Sequence, residues 1–261
     1  MSAAGAGVYA EFVGLPGAGK SVVSRAVAGL MRSQNVPVTE PTYELDHVVS
    51  SPRRRILKFW YAVRGALRRP WEGGFWVRLI LKSGQPTLLR SFAEIVGWLY
   101  LLEVAARKDR QPGVHLFDHG MCQALWSIAY EATQTDITSP QVLDQLRRWL
   151  PRRAVVVLVE ASVPTVGTRL ELRPGRTSRV QRDVATGRSA SAFARASMAL
   201  RRTEAAAAQL AEERRIILLR VNNDGGQSLR ASAAIVTDLL GRLLSADNAG
   251  RSMNVATTVW G

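Results

Sequence analysis

The sequence predicts an α/β protein in which helices cover both faces of a mainly parallel, five-stranded sheet. Three observations lead there. Short β-rich apolar segments alternate with longer segments of helical periodicity along most of the chain. Ala154 to Val159 is an unbroken apolar run rich in valine, the pattern of a central strand buried on both faces. A glycine-rich turn, Gly14 to Ser21, separates the first strand from the first helix.

Val8 to Val13 alternates and is β-rich, so it reads as a strand. Val22, Val23, Ala26, Val27, Leu30 and Met31 then follow helical spacing. A short second strand, Val36 to Thr39, ends in Glu40-Pro41. Residues from about 52 to 110 form a mostly helical insertion, broken near Pro70–Gly74 and Gly84–Pro86. Val114 to Phe117 is an apolar strand closed by Asp118. Helices are expected over Cys122–Glu131 and Pro140–Leu150, before the strand at 154–159. Val163 to Leu172 is a further helix, followed by an arginine-rich segment over 173–188. Ser189 to Arg215 reads as a long helix, Ile216 to Val221 as the fifth strand, and Gln227 to Leu244 as the last helix. The expected organisation is one domain over 1–244 with a polar, flexible tail over 245–261.

The chain has 261 residues and is 47% hydrophobic, which supports a sizeable core and argues against global disorder. Cys122 is the only cysteine, so intramolecular disulfides and cysteine-based zinc sites are excluded. Residues 1–7 lack the basic and apolar regions of a signal peptide, and no apolar run is long enough to span a membrane, so a cytoplasmic location is expected. The net charge is +14, and of 35 basic residues only Lys20, Lys58, Lys82 and Lys108 are lysine. An anionic partner such as nucleotide, phosphorylated substrate, nucleic acid or acidic lipid fits that charge; so does compositional drift.

Gly14-Leu15-Pro16-Gly17-Ala18-Gly19-Lys20-Ser21 is the phosphate-binding pattern G-x-x-x-x-G-K-[ST]. Gly14, Gly17 and Gly19 let the backbone turn its N–H groups toward a phosphate. The helix that follows adds its positive dipole end. Lys20 would reach the β- and γ-phosphates, the Ser21 hydroxyl would ligate Mg²⁺, and Gly14 through Val22 would form the nucleotide-binding segment. Asp118 ends a strand, where an acid in such proteins commonly holds Mg²⁺; alternatively it caps a helix beginning near Gly120. Glu40 is either a group that binds or deprotonates a substrate hydroxyl or an ordinary acid beside a turn. His119 lies next to Asp118. Arg169, Arg173, Arg176, Arg179 and Arg182 crowd one small volume and read as a mobile lid over a transferred phosphoryl group, or as a solvated loop. The loop at Asn222–Gly226 is either a contact for the nucleotide base or a plain turn.

The stretch Arg53 to Arg69 is basic and amphipathic, with Ile56, Trp60, Val63 and Leu67 on one side. It reads as a wall of the acceptor site, a helix lying on an acidic membrane, or an ordinary surface helix.

Together these residues resemble the P-loop kinases of the nucleoside and nucleotide type, especially the thymidylate-kinase-like branch. The resemblance rests on the order of phosphate loop, Glu40-Pro41, Asp118, lid and final strand–helix pair. It implies a P-loop NTPase three-layer fold with sheet order 2-3-1-4-5, and ATP and Mg²⁺ as cosubstrates of a phosphotransferase acting on a small-molecule acceptor. It implies that Lys20, Asp118, Arg173, Arg179 and Glu40 are catalytic, that Ser21 and Asp118 hold the metal, and that Arg169 joins the nucleotide site. Where that family has Asp-Arg or Glu-Arg, this chain has Asp118-His119, and lid arginines would compensate. A GTPase is disfavoured, because no Asn-Lys-x-Asp base motif follows a strand and Asp118-His119-Gly120 is not a D-x-x-G switch. The competing reading is a non-catalytic or slowly hydrolysing nucleotide switch that docks on an anionic membrane or nucleic acid. A homodimer is compatible with either.

Overall fold

The computed structural model describes residues 7–132, 136–173, 178–185 and 189–248. In chain order the elements are β1 (Val8–Val13), α1 (Lys20–Ser33), β2 (Val38–Thr39), α2 (Pro41–His47), α3 (Ser51–Arg68), α4 (Pro70–Lys82), α5 (Leu88–Lys108), β3 (Val114–Phe117), α6 (Met121–Glu131), α7 (Pro140–Trp149), β4 (Ala154–Glu160), α8 (Val163–Leu172), α9 (Arg179–Ala185), α10 (Ser189–Glu212), β5 (Ile216–Asn222) and α11 (Gly226–Asn248). The five strands are all parallel and lie in the order β2-β3-β1-β4-β5. That is the expected order.

Strand periodicity builds a core on each side of the sheet. Val8, Ala10 and Phe12 of β1 pack with Val23, Val27 and Met31 of α1 and with Val236 and Leu240 of α11. Tyr9 and Val13 face the opposite way, into the larger core built from α5, α6 and α10. β4 is buried on both faces, as its valine run requires. Within the insertion, Trp76 of α4 and Trp98 of α5 are fully buried with ring centroids 4.0 Å apart. No helix among the described residues is long and apolar enough to cross a membrane.

Several boundaries differ from the sequence reading. α2 occupies residues to which the sequence reading assigned no element; Pro41 starts it, where its missing N–H costs nothing. β2 is only Val38–Thr39, because Pro37 cannot donate to the ladder, although its carbonyl accepts from Val114 N at 2.9 Å. α11 extends to Asn248, so residues 245–248 are helical rather than tail; the rest of that tail, 249–261, lies outside the described residues. The lid segment 173–188 contains a helix, α9; residues 174–177 and 186–188 of it, including Arg176, lie outside the described residues.

Candidate active site

The loop after β1 passes directly into α1. Gly17 and Gly19 have φ of 91° and 90°, a region open to glycine and costly for other residues. The Lys20 ammonium donates to the carbonyls of Gly14 (2.8 Å) and Leu15 (3.0 Å). Burial lowers its pKa from 10.5 to about 8; Asp118 opposes that shift and the Arg173 charge adds to it. Arg173, exposed at the end of α8, therefore lies within electrostatic reach of Lys20. Leu15 and Pro16 are half-buried, and Val22 is exposed in the first turn of α1.

Residues far away in sequence hold the loop in shape. Gln123 of α6 accepts from the Gly14 N–H at 3.2 Å. Buried Asn223, just past β5, donates to the Ala18 carbonyl at 2.8 Å. Arg169 of α8 donates to the same carbonyl (3.3 Å) and to the Asn223 carbonyl (2.8 Å). The loop at Asn222–Gly226 is thus more than a turn: through Asn223 it braces the phosphate loop.

Asp118 sits at the carboxyl end of β3 beside the start of α1. Its Oδ2 accepts from Ser21 Oγ at 3.0 Å and its Oδ1 from Thr42 Oγ1 at 2.7 Å. It does not cap α6. That helix begins at Gly120 with no side-chain cap, and its first turn is satisfied by Glu11 from the middle of β1. The Cys122 N–H donates to Glu11 Oε1 (3.0 Å) and Oε2 (3.2 Å), and Tyr9 OH donates to Oε2 (2.8 Å). Burial raises the Glu11 pKa, while these hydrogen bonds pull it down. A Cβ at Gly120 would lie 1.9 Å from Glu11 Oε2, so only glycine fits there. Ser21 and Asp118 present hard oxygen donors, which suit Mg²⁺ held jointly with nucleotide phosphates. No group of three or more His, Cys, Asp or Glu able to hold a metal occurs among the described residues.

His119 opens to solvent but is surrounded by protein on the walls of the cleft. Loss of water lowers its pKa; Glu94 and Asp118 oppose this, and Lys58 and Lys20 add to it. The cleft wall beyond it comes from α2, α3 and α5. Asp46 accepts from Lys58 Nζ at 2.9 Å, and the Asp46 carbonyl accepts from Arg54 at 2.6 Å. Burial and the nearby Asp46 push the Tyr100 phenol well above its usual range.

No family model matches the chain, and no curated protein is significantly similar to it. Solved structures of low sequence identity do resemble it. A deoxyadenosine kinase from M. mycoides with dCMP and dCDP bound is 12% identical, with a TM-score of 0.46, over 90% of this chain and 100% of that one. A thymidylate kinase from Candida albicans is 11% identical, with a TM-score of 0.46, over 97% of each chain. A shikimate kinase from Acinetobacter baumannii is 16% identical, with a TM-score of 0.36, over 92% of this chain and 96% of that one. The sheet order and the loop between β1 and α1 decide the fold. It is the three-layer P-loop α/β fold.

Within this fold, two sequence expectations need correction. Glu40 does not face the phosphate loop. β2 pairs Thr39 with His115, so Glu40 falls beside the middle of β3, short of the edge where Asp118 stands. Its carboxylate is buried and paired at 2.8 Å with Arg32, in the last turn of α1, the end away from the loop. Thr42, two residues on, is the group that reaches Asp118. Arg179 is not a free lid cation either. It is buried against α5 and α6, paired with Glu94 and Glu131, and donates to the Ser127 carbonyl at 2.8 Å. Burial lowers its pKa, with Glu94 opposing. Sequence reasoning missed Glu11, Thr42, Gln123 and Asn223. Glu11 alone left a local signal, an acid inside an apolar strand.

Proposed function

We propose that this chain is an ATP-dependent phosphotransferase that moves the γ-phosphoryl group to a small-molecule acceptor in the cytoplasm. The observation that carries the reading is the 3.0 Å contact between Ser21 and Asp118 at the mouth of the phosphate loop. It joins two oxygen donors from separate elements where the β- and γ-phosphates would lie. Lys20 and the loop amides would bind those phosphates, and Arg169 would hold the loop against α8 and β5. Ser21 and Asp118 would hold Mg²⁺, which would neutralise phosphate charge there. Arg173 would offset charge on the phosphoryl group as it moves. The acceptor oxygen forms the new bond to phosphorus and gives up its proton to solvent, the bond to the β–γ bridging oxygen breaks, and ADP leaves.

The acceptor side supports a neutral alcohol over a phosphorylated compound. All four cations of that wall, Arg54, Lys58, Arg90 and Arg179, are already paired with Asp46, Glu94 or Glu131, so none stands free to meet a second phosphate. His119, uncharged at neutral pH, offers a hydrogen bond where an arginine would offer a full charge. The test is an acceptor screen with ATP and Mg²⁺, comparing alcohols with monophosphates and weighing the products by mass spectrometry. The expected result is acceptor-dependent ADP release and one product heavier by a phosphoryl group. Lys20→Ala should cut that turnover at least ~100-fold with an unchanged circular dichroism spectrum. ADP release that ignores every acceptor would favour the nucleotide switch.

A further inference from the structure

α3 is amphipathic in the inverted sense. Only Ala62 of its residues is fully buried. The apolar stripe Ile56, Trp60, Val63 and Leu67 lies opposite, on the outer side, with Trp60 65% and Leu67 77% exposed. Trp71, just past the break at Arg69 and at the start of α4, is 91% exposed. The stripe runs about 16 Å along the helix from Ile56 to Leu67. Large apolar groups in a row on the outside of a protein mark a surface that something else covers.

The charges around the stripe say what covers it. α3 contains Arg53, Arg54, Arg55, Lys58, Arg64 and Arg68 and not one acid. Arg53, beside the stripe, and Arg55, exposed near the start of α3, have no acidic partner among the described residues. Beside the stripe is a groove of about 520 Å³ floored by Trp60, Val63 and Leu67 and rimmed by Arg64, Arg68 and Arg107. Those three guanidinium groups converge on one nearly buried carboxylate, Glu103, at 3.5, 3.1 and 3.6 Å. A single negative charge against three positive ones leaves the rim strongly cationic. A second copy of this chain seated on the same face would set like charge against like. Nucleic acid would satisfy the arginines and leave Ile56 and Leu67 uncovered. An anionic bilayer satisfies both, with aliphatic and aromatic groups entering the acyl boundary and guanidinium groups at the headgroups.

We propose that α3 and the start of α4 dock this protein, through Ile56, Trp60, Leu67 and Trp71 and the arginines beside them, on the surface of an anionic lipid bilayer. This stands apart from the phosphotransfer reading, since none of these side chains belongs to the phosphate site.

The test is co-sedimentation of the full chain with vesicles of phosphatidylcholine alone and of phosphatidylcholine mixed with phosphatidylserine. Binding is expected to the mixed vesicles only, with a blue shift of tryptophan emission and release by added salt. Trp60→Ser with Leu67→Ser, and separately Arg53→Glu with Arg55→Glu, should each weaken binding roughly tenfold or more. These positions are exposed, so circular dichroism should show both variants folded. No binding to mixed vesicles overturns the proposal, as does binding that neither double variant weakens. A dimer in light scattering that Trp60→Ser with Leu67→Ser dissociates, without vesicle binding, assigns the face to a second copy instead. RNA binding that survives that variant, again without vesicle binding, also overturns it.

Discussion

Lys20 carries its charge in a place that resists it. Its lowered pKa, about 8, comes chiefly from burial, and bound phosphates would restore it by stabilising the ammonium. The sign follows. Below pH 8 the free protein already holds the proton, and nucleotide binding needs none. As pH rises through 8 toward the ordinary 10.5, the free protein loses that proton and binding has to recover it. ATP affinity should therefore fall with rising pH in that window, by up to about tenfold per unit, with proton uptake visible by calorimetry in buffers of different ionisation enthalpy. In Lys20→Met the dependence should vanish. Asn223 acts at the same scale through the loop's shape. Asn223→Ala leaves the Ala18 carbonyl with Arg169 alone, and should weaken ATP binding roughly tenfold in a direct titration.

At the scale of elements, α9 is fastened down rather than free. Gln181 donates to the carbonyls of Leu170 (2.7 Å) and Arg173 (3.2 Å), tying it to the end of α8. Tyr130 of α6 donates to Asp183 at 2.6 Å, and Arg195 of α10 pairs with the same carboxylate at 2.8 Å. Arg179 completes the attachment through Glu94. Removing Arg179 leaves Glu94 with Arg90 alone and takes a cation from Glu131, so Arg179→Ala should destabilise the protein by about 2 kcal/mol in urea denaturation. Amide exchange should show α9 opening before β4. α6 has its own dependence: its first turn rests on Glu11, and that contact sets Asp118 and His119 at the edge of the sheet.

For the whole molecule, the two cores share one sheet. Alternate residues of β1 feed each of them, so neither survives loss of the other. The insertion joins the larger core through α5, with Trp76 and Trp98 in contact inside it, their rings tilted by 37°. We propose on this basis that residues up to the end of α11 form one cooperative domain. Near-ultraviolet circular dichroism, which reports those tryptophans, should lose signal at the same temperature as the far-ultraviolet helix signal. Two separated transitions would make the helical insertion an independent unit.

The sequence by itself determined what depends on near neighbours. The phosphate loop, the strands around it and most helices were legible, because glycine spacing, β-rich runs and helical periodicity are local signals. Asp118 was legible as an acid at a strand end, and Arg169 as part of a cluster. Only the tertiary structure decided which side chains meet. Gln123 reaches Gly14 across 109 positions and Asn223 reaches Ala18 across 205, separations over which sequence spacing carries no geometry. Glu40 and Arg179 looked equal to Asp118 and Arg169 by type and position. A two-residue strand left one short of the cleft, and paired carboxylates drew the other into a wall. The amphipathic pattern of α3 was equally plain in the residues. That its apolar side faces outward was settled by packing, because α5 took the opposite face.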